Sequence, residues 1–202
     1  METRSFLHVG ADCGQQPLPS HYRGWQCVSF DINPCQDADM VGDVRNMAPI
    51  ADEVYDAVYL CHILNYFHPW ELPQVLSEAA RITKNGGFVE ARVPHLEEVC
   101  RAVLDGHPMD TPLYRGHQGP ITPQNLIHGR IGRTRNSSTI MAHRTSFTPG
   151  LLRLELQGAG LKVELLGKCS DQRYDLFAIG RKSETQAVDP IDELLSAVTP
   201  IA

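Results

Sequence analysis

Gly10-Ala11-Asp12-Cys13-Gly14 follows a short apolar run, Ser5 to Val9, and Asp31 closes the next such run, Gln26 to Asp31. A glycine turn lets backbone approach a ligand closely, and a carboxylate about 20 positions on can accept both hydroxyls of a ribose. Asp12 stands where a dinucleotide site needs its second glycine. A carboxylate repels a pyrophosphate and attracts an ammonium. The turn therefore favours a zwitterionic amino-acid ligand over a nicotinamide dinucleotide.

Three histidines, His62, His95 and His143, fall at strand ends or beside a long irregular segment, where a general base near neutral pH would be useful. From Thr111 to Leu154 there is no Asp or Glu, while Arg115, Arg130, Arg133, Arg135, Arg144 and Arg153 all lie there. Guanidinium forks bind carboxylate or phosphate bidentately, so a segment of this kind over a site would select an anionic small molecule. The alternative is a solvated loop whose arginines pair with the acidic remainder. Few aromatics stand in the segment, which disfavours nucleic acid. Cys13, Cys35, Cys61 and His62 would meet at one sheet edge, but no two stand at a zinc-ligand spacing, and no metal is expected.

The elements that must position these groups are legible from periodicity. Ser5–Val9, Gln26–Asp31, Asp39–Asp43, Tyr55–Cys61 and Phe88–Val93 read as strands. Pro69 to Thr83 reads as a helix, with Leu72, Val75, Leu76, Ala79 and Ile82 at helical spacing and Asn85-Gly86 ending it. A second helix over Leu96 to Leu104 presents Leu96, Val99, Cys100, Val103 and Leu104 on one face. Thr148-Pro149 heads a third, to about Gln157, and Leu161–Leu166 with Asp175–Ile179 forms an antiparallel pair. Residues 105 to 145 show no helix or strand period and read as a loop or lid. Strands alternating with helices imply a doubly wound α/β sheet, mostly parallel and covered on both faces.

The chain has 202 residues, with 18 basic and 24 acidic side chains and a net charge of −6. That length suits one domain over residues 1–182, with 106–146 as an insertion and 183–202 as a tail. Removing the six arginines of the Thr111–Leu154 segment leaves the rest near −12. No apolar run approaches the roughly 18 residues of a membrane span, and no leader is evident, so a cytoplasmic location is expected. The six cysteines form no CxxC and suggest small buried residues rather than a disulfide framework. Ile191 to Val198 has an amphipathic pattern that would pack on its own domain or on a partner such as a second copy, which leaves the oligomeric state open.

Taken in order, FLHVGADCG, SFDINP, DMVGDVRNMAP, YDAVYLCHILNYF, ITKNGGFVEARVPHLE and HRTSFTPGLLRLELQGAGLKV resemble class I S-adenosylmethionine-dependent methyltransferases, in particular the small type often encoded near polysaccharide and natural-product biosynthesis genes. The resemblance covers about Phe6 to Gly180. It implies a seven-stranded Rossmann-like sheet with its last strand antiparallel. It also implies that Gly10, Ala11, Asp12 and Gly14 line the methionine moiety, that Asp31 and the adjoining Ile32 serve the ribose, and that Asp43 and the Val44 N–H serve the adenine. Cys61 and His62 would flank the sulfonium. The family's H-x-L-E-H reads His62-Ile63-Leu64-Asn65-Tyr66 here, without its glutamate and second histidine. The expected function is methyl transfer from S-adenosylmethionine to a small, anionic or sugar-linked acceptor. The competing expectations are a non-catalytic binding or partner protein on the same fold and, disfavoured by the missing glycines, a nicotinamide-dependent oxidoreductase.

Overall fold

The computed structural model describes residues 3–10, 18–34, 38–116, 119–130, 142–169 and 174–183. Seven strands form one sheet: β1 (Ser5–Val9), β2 (Gln26–Asp31), β3 (Met40–Val41), β4 (Tyr55–Cys61), β5 (Thr83–Pro94), β8 (Leu161–Lys168) and β9 (Asp175–Lys182), in the order β3-β2-β1-β4-β5-β9-β8. β1 to β5 pair in parallel, and β9 runs antiparallel to both β5 and β8. The expected doubly wound sheet with a reversed last strand is the observed one. Among the described residues, no helix is long and apolar enough to cross a membrane.

Two helices cover one face. α1 (Leu72–Ile82) packs Val75, Leu76 and Ala79 inward, and α4 (Pro149–Gly158) packs Leu152 and Leu156, against Leu7, Val9, Val58, Leu60, Val89 and Ala91 of the sheet. α4 starts at Thr148, whose hydroxyl accepts the Leu151 N–H at 3.2 Å, an N-cap worth about 1 kcal/mol. The other face of β1, β4 and β5 carries aromatics: Phe6 stacks on Tyr22 at 4.1 Å, and Trp25, Tyr59 and Phe88 close around them. Among the described residues, that cover includes a 3₁₀ turn at Ser20–Tyr22 and Trp25 just after it.

Three expectations need correction. α1 ends at Ile82, and Asn85-Gly86 lies inside β5: Thr83 already pairs with Tyr55, and the ladder shifts register before Ala57–Phe88. The glycines serve that irregularity rather than a helix cap, as the φ of 75° at Gly86 indicates. α2 (Leu96–Leu104) buries Glu98, Val99 and Ala102, while Cys100 is exposed and Leu104 is 87% exposed. Glu98 is turned inward because it pairs with Lys168 of β8 and with Arg101, so an ion pair rather than apolar period selects the face. Residues 105 to 145 contain a hairpin, β6 (Tyr114–Gly116) with β7 (Gly119–Ile121), and α3 (Pro123–His128), which Thr122 and Asn125 cap reciprocally. These elements are too short for periodicity to register. The amphipathic stretch Ile191–Val198 lies outside the described residues, as do Cys13 and Cys35. Of the described cysteines, Cys61 and Cys169 are buried, while Cys27 is exposed like Cys100.

Candidate active site

The carboxyl edge of the parallel strands gathers the candidate residues. Gly10 ends β1 with φ 76°, and its N–H donates to the Phe30 carbonyl at 3.1 Å, tying the first turn to β2. Asp31 ends β2. Its Oδ1 accepts the Asn33 N–H at 2.9 Å, and among the described residues its Oδ2 has no hydrogen-bond partner. Ile32 beside it is 45% exposed. Ala11, Asp12 and Gly14 lie outside the described residues, as do Arg133 and Arg135.

Asp43 is held by a neighbour that sequence reasoning missed. Both of its carboxylate oxygens face Arg45: Nε lies 3.1 Å from each, Nη2 donates to Oδ2 at 2.6 Å, and the Arg45 N–H donates to Oδ1 at 2.9 Å. Arg45 Nη1 continues to Glu71 Oε1 at 2.6 Å, just ahead of α1. The guanidinium hydrogen bonds hold both carboxyls below the usual carboxylate range, although for Glu71 the His68 N–H is the larger cause. The signal was present as the Arg two places after Asp43, but its reach to Glu71 depends on tertiary structure. Val44 between them is buried, and its N–H has no acceptor among the described residues.

At the end of β4, Cys61 is buried and its thiol is pushed up to about 12 by desolvation. His62 adopts φ 51°, and its N–H donates to the Arg92 carbonyl of β5 at 2.9 Å. Its Nε2 lies 3.2 Å from Oδ2 of Asp175, the first residue of β9. Asp175 was not among the sequence candidates, since it lies more than a hundred residues from His62 and only the antiparallel return of β9 brings it to this edge. Tyr114 of β6 stacks on Tyr174 with ring centres 5.9 Å apart, placing the hairpin beside the same corner. Burial raises the Tyr114 pKa, the Asp175 charge adds to that, and Arg130 opposes it.

Burial acts on the other two histidines. His143 Nδ1 lies 2.9 Å from the Leu126 carbonyl, its ring meets Tyr66 edge-on, and burial depresses its pKa to about 4. His95 is buried ahead of α2 with its backbone N–H on the Tyr174 carbonyl, and burial lowers its pKa. Arg144 donates to the Tyr66 carbonyl and its N–H to that of Asn65, so it anchors the segment leading to α4. Arg115 is exposed on β6 and Arg130 is half-buried after α3.

Residues 7–91 match the family model described as a methyltransferase domain. Over that stretch the chain is similar to methyltransferase domains. The fold of the chain is similar to that of solved structures of low identity. The protein PH0226 from Pyrococcus horikoshii OT3 superposes with a TM-score of 0.61 at 16% identity, over 90% of this chain and 83% of that one. A methyltransferase from Methanosarcina mazei gives 0.59 at 15%, over 91% and 94%. The 1,6-didemethyltoxoflavin-N1-methyltransferase of Burkholderia thailandensis, solved with bound 1,6-didemethyltoxoflavin and S-adenosylhomocysteine, gives 0.58 at 13%, over 90% and 72%. Among curated proteins none matches this sequence.

Proposed function

We propose that the chain transfers a methyl group from S-adenosylmethionine to a small acceptor, with the cofactor lying across the ends of β1, β2 and β4. The observation that carries this reading is the set of open polar atoms along that edge. Asp31 Oδ2 and the Val44 N–H are unpaired among the described residues, and Gly10 has no room for a side chain. A ribose donates to a carboxylate and an adenine ring accepts from an N–H, so the residues present fit the cofactor. The Asp43 oxygens each already accept from Arg45, so Asp43 would serve the adenine amino group only while sharing its lone pairs with that guanidinium.

When bound, S-adenosylmethionine supplies an electrophilic methyl on a sulfonium. The protein's contribution is to align acceptor and methyl in line and to take a proton where the acceptor has one to lose. The hairpin and α3 within residues 106–146 would form the acceptor wall as a lid. Arg115, Arg130 and the neighbouring Arg133 and Arg135 favour an anionic or sugar-linked small molecule in biosynthesis, in a cytoplasmic setting.

Calorimetry tests this directly. S-adenosylmethionine should bind the wild type and NAD should not, and Asp31→Ala should weaken the cofactor at least tenfold. Absence of S-adenosylmethionine binding refutes the cofactor assignment, and unchanged affinity in Asp31→Ala refutes the ribose contact.

A further inference from the structure

Asp175 is fully buried, and neither carboxylate oxygen has a hydrogen bond of good geometry among the described residues. A buried, unsatisfied carboxylate costs several kcal/mol. The group facing it is His62, whose Nε2 is within ion-pair distance at 3.2 Å while its side chain stays 24% exposed. His62 also carries one of the two positive φ values found among described non-glycine residues, a conformation that costs about 1–3 kcal/mol. Two unfavourable features thus meet in one contact at the edge where a methyl acceptor would enter. Strained backbone of this kind clusters at active sites and ligand clamps, and a buried carboxylate without a partner calls for an explanation. The surrounding groups do not relieve the carboxylate: Cys61 and Tyr114 feel its charge, Arg130 acts on Tyr114, His143 feels His62, and Arg92 lies across β5, yet none hydrogen-bonds to Asp175.

We propose that Asp175 is the positioning residue of His62, fixing the imidazole with its proton on Nε2, and that His62 Nδ1 then accepts the proton of a hydroxyl acceptor. This rests on the methyltransferase reading above. The acceptor O–H bond breaks with its proton going to Nδ1, and the oxygen electron pair forms the O–CH₃ bond. The carbon–sulfur bond breaks with its electrons going to sulfur. The products are the methyl ether, the neutral thioether and an imidazolium facing the Asp175 carboxylate, so charge and atoms balance. The acceptor class this selects is one that gives up a proton as it is methylated.

The test is the ring ¹⁵N spectrum of the full chain labelled at histidine, with His62 assigned by its loss in His62→Gln. At pH 8 the wild type should show Nε2 protonated and Nδ1 bare. Asp175→Leu should move both shifts toward the averaged values of a tautomer mixture, and Asp175→Glu should keep the wild-type pattern. A wild-type proton on Nδ1, a doubly protonated ring at pH 8, or unchanged shifts in a folded Asp175→Leu overturns the proposal. Should Asp175→Leu not fold, the wild-type and Asp175→Glu spectra decide. S-adenosylmethionine calorimetry on the same samples keeps the two readings apart. Asp175→Leu should bind it within threefold of wild type, whereas loss of binding by the wild type refutes the methyltransferase reading and leaves the tautomer result standing.

Discussion

A Cβ placed on Gly10 would lie 2.1 Å from Cγ2 of Ile63 and 2.8 Å from the Cys61 carbonyl. The turn after β1 therefore packs directly on the turn that carries His62, and only a missing side chain permits the contact. Gly10→Ala meets both an overpacked site and an unfavourable φ, so it should lose about 2–4 kcal/mol. Urea unfolding at pH 7 measures this. A loss under 1 kcal/mol would mean that the two turns yield easily.

Arg45 joins Asp43 to Glu71 across a half-exposed surface. A double-mutant cycle of Arg45→Ala with Asp43→Ala should give a coupling of only about 0.5–1 kcal/mol, because solvent screens the pair. The depressed pKa of Asp43 gives the sign of its pH dependence. Its stabilisation is present above the unfolded carboxyl range and is lost as pH falls through the lower native value. The coupling should therefore persist from pH 7 to 5 and vanish on further acidification, and a constant value would refute the ionic origin.

His8 of β1 is buried against Tyr59, its ring 5.0 Å away, with its pKa lowered to about 4 by desolvation. The unfolded chain takes up the proton near pH 6.5, and the native chain resists it until about pH 4. Stability thus falls as pH drops through that window, by about 3 kcal/mol from this residue alone. His8→Phe should flatten the profile between pH 6.5 and 4.5. Parallel wild-type and variant curves would contradict it.

Cys61 has its thiol raised to about 12, so roughly one in ten thousand molecules carries the thiolate at pH 8. Of Cys27, Cys61 and Cys100, iodoacetamide on the native protein should label exposed Cys100 first. Cys27, whose pKa burial raises, should follow more slowly, and Cys61 should react only after urea. Peptide mass spectrometry reads the order, and native labelling of Cys61 would show that the site opens.

The sheet and both long helices were legible because β1, β4 and α1 bury whole faces, and burial imposes a period that composition records. The positions of Gly10 and Asp31 at the strand ends were legible for a related reason: a close turn and a strand-end carboxylate sit at a fixed separation along the chain. Asp175 and Arg45 were not. Their contacts depend on partners that only tertiary structure brings near, and an aspartate opening a strand looks in sequence like any turn residue. The hairpin and α3 were hidden in the same way, since elements of three and six residues leave no periodic trace.

The reversal of β9 has a consequence for how the chain could diversify. Because that strand runs against its neighbours, it presents its opening residue, not its closing one, where the parallel strands present their ends. The residues proposed to cradle the cofactor are encoded between positions 10 and 44, while Asp175 arrives from a separate stretch of sequence. Under the proposed reading, mutation at position 175 and in the hairpin before it can therefore alter which molecule is modified without rewriting the residues proposed to hold the methyl donor.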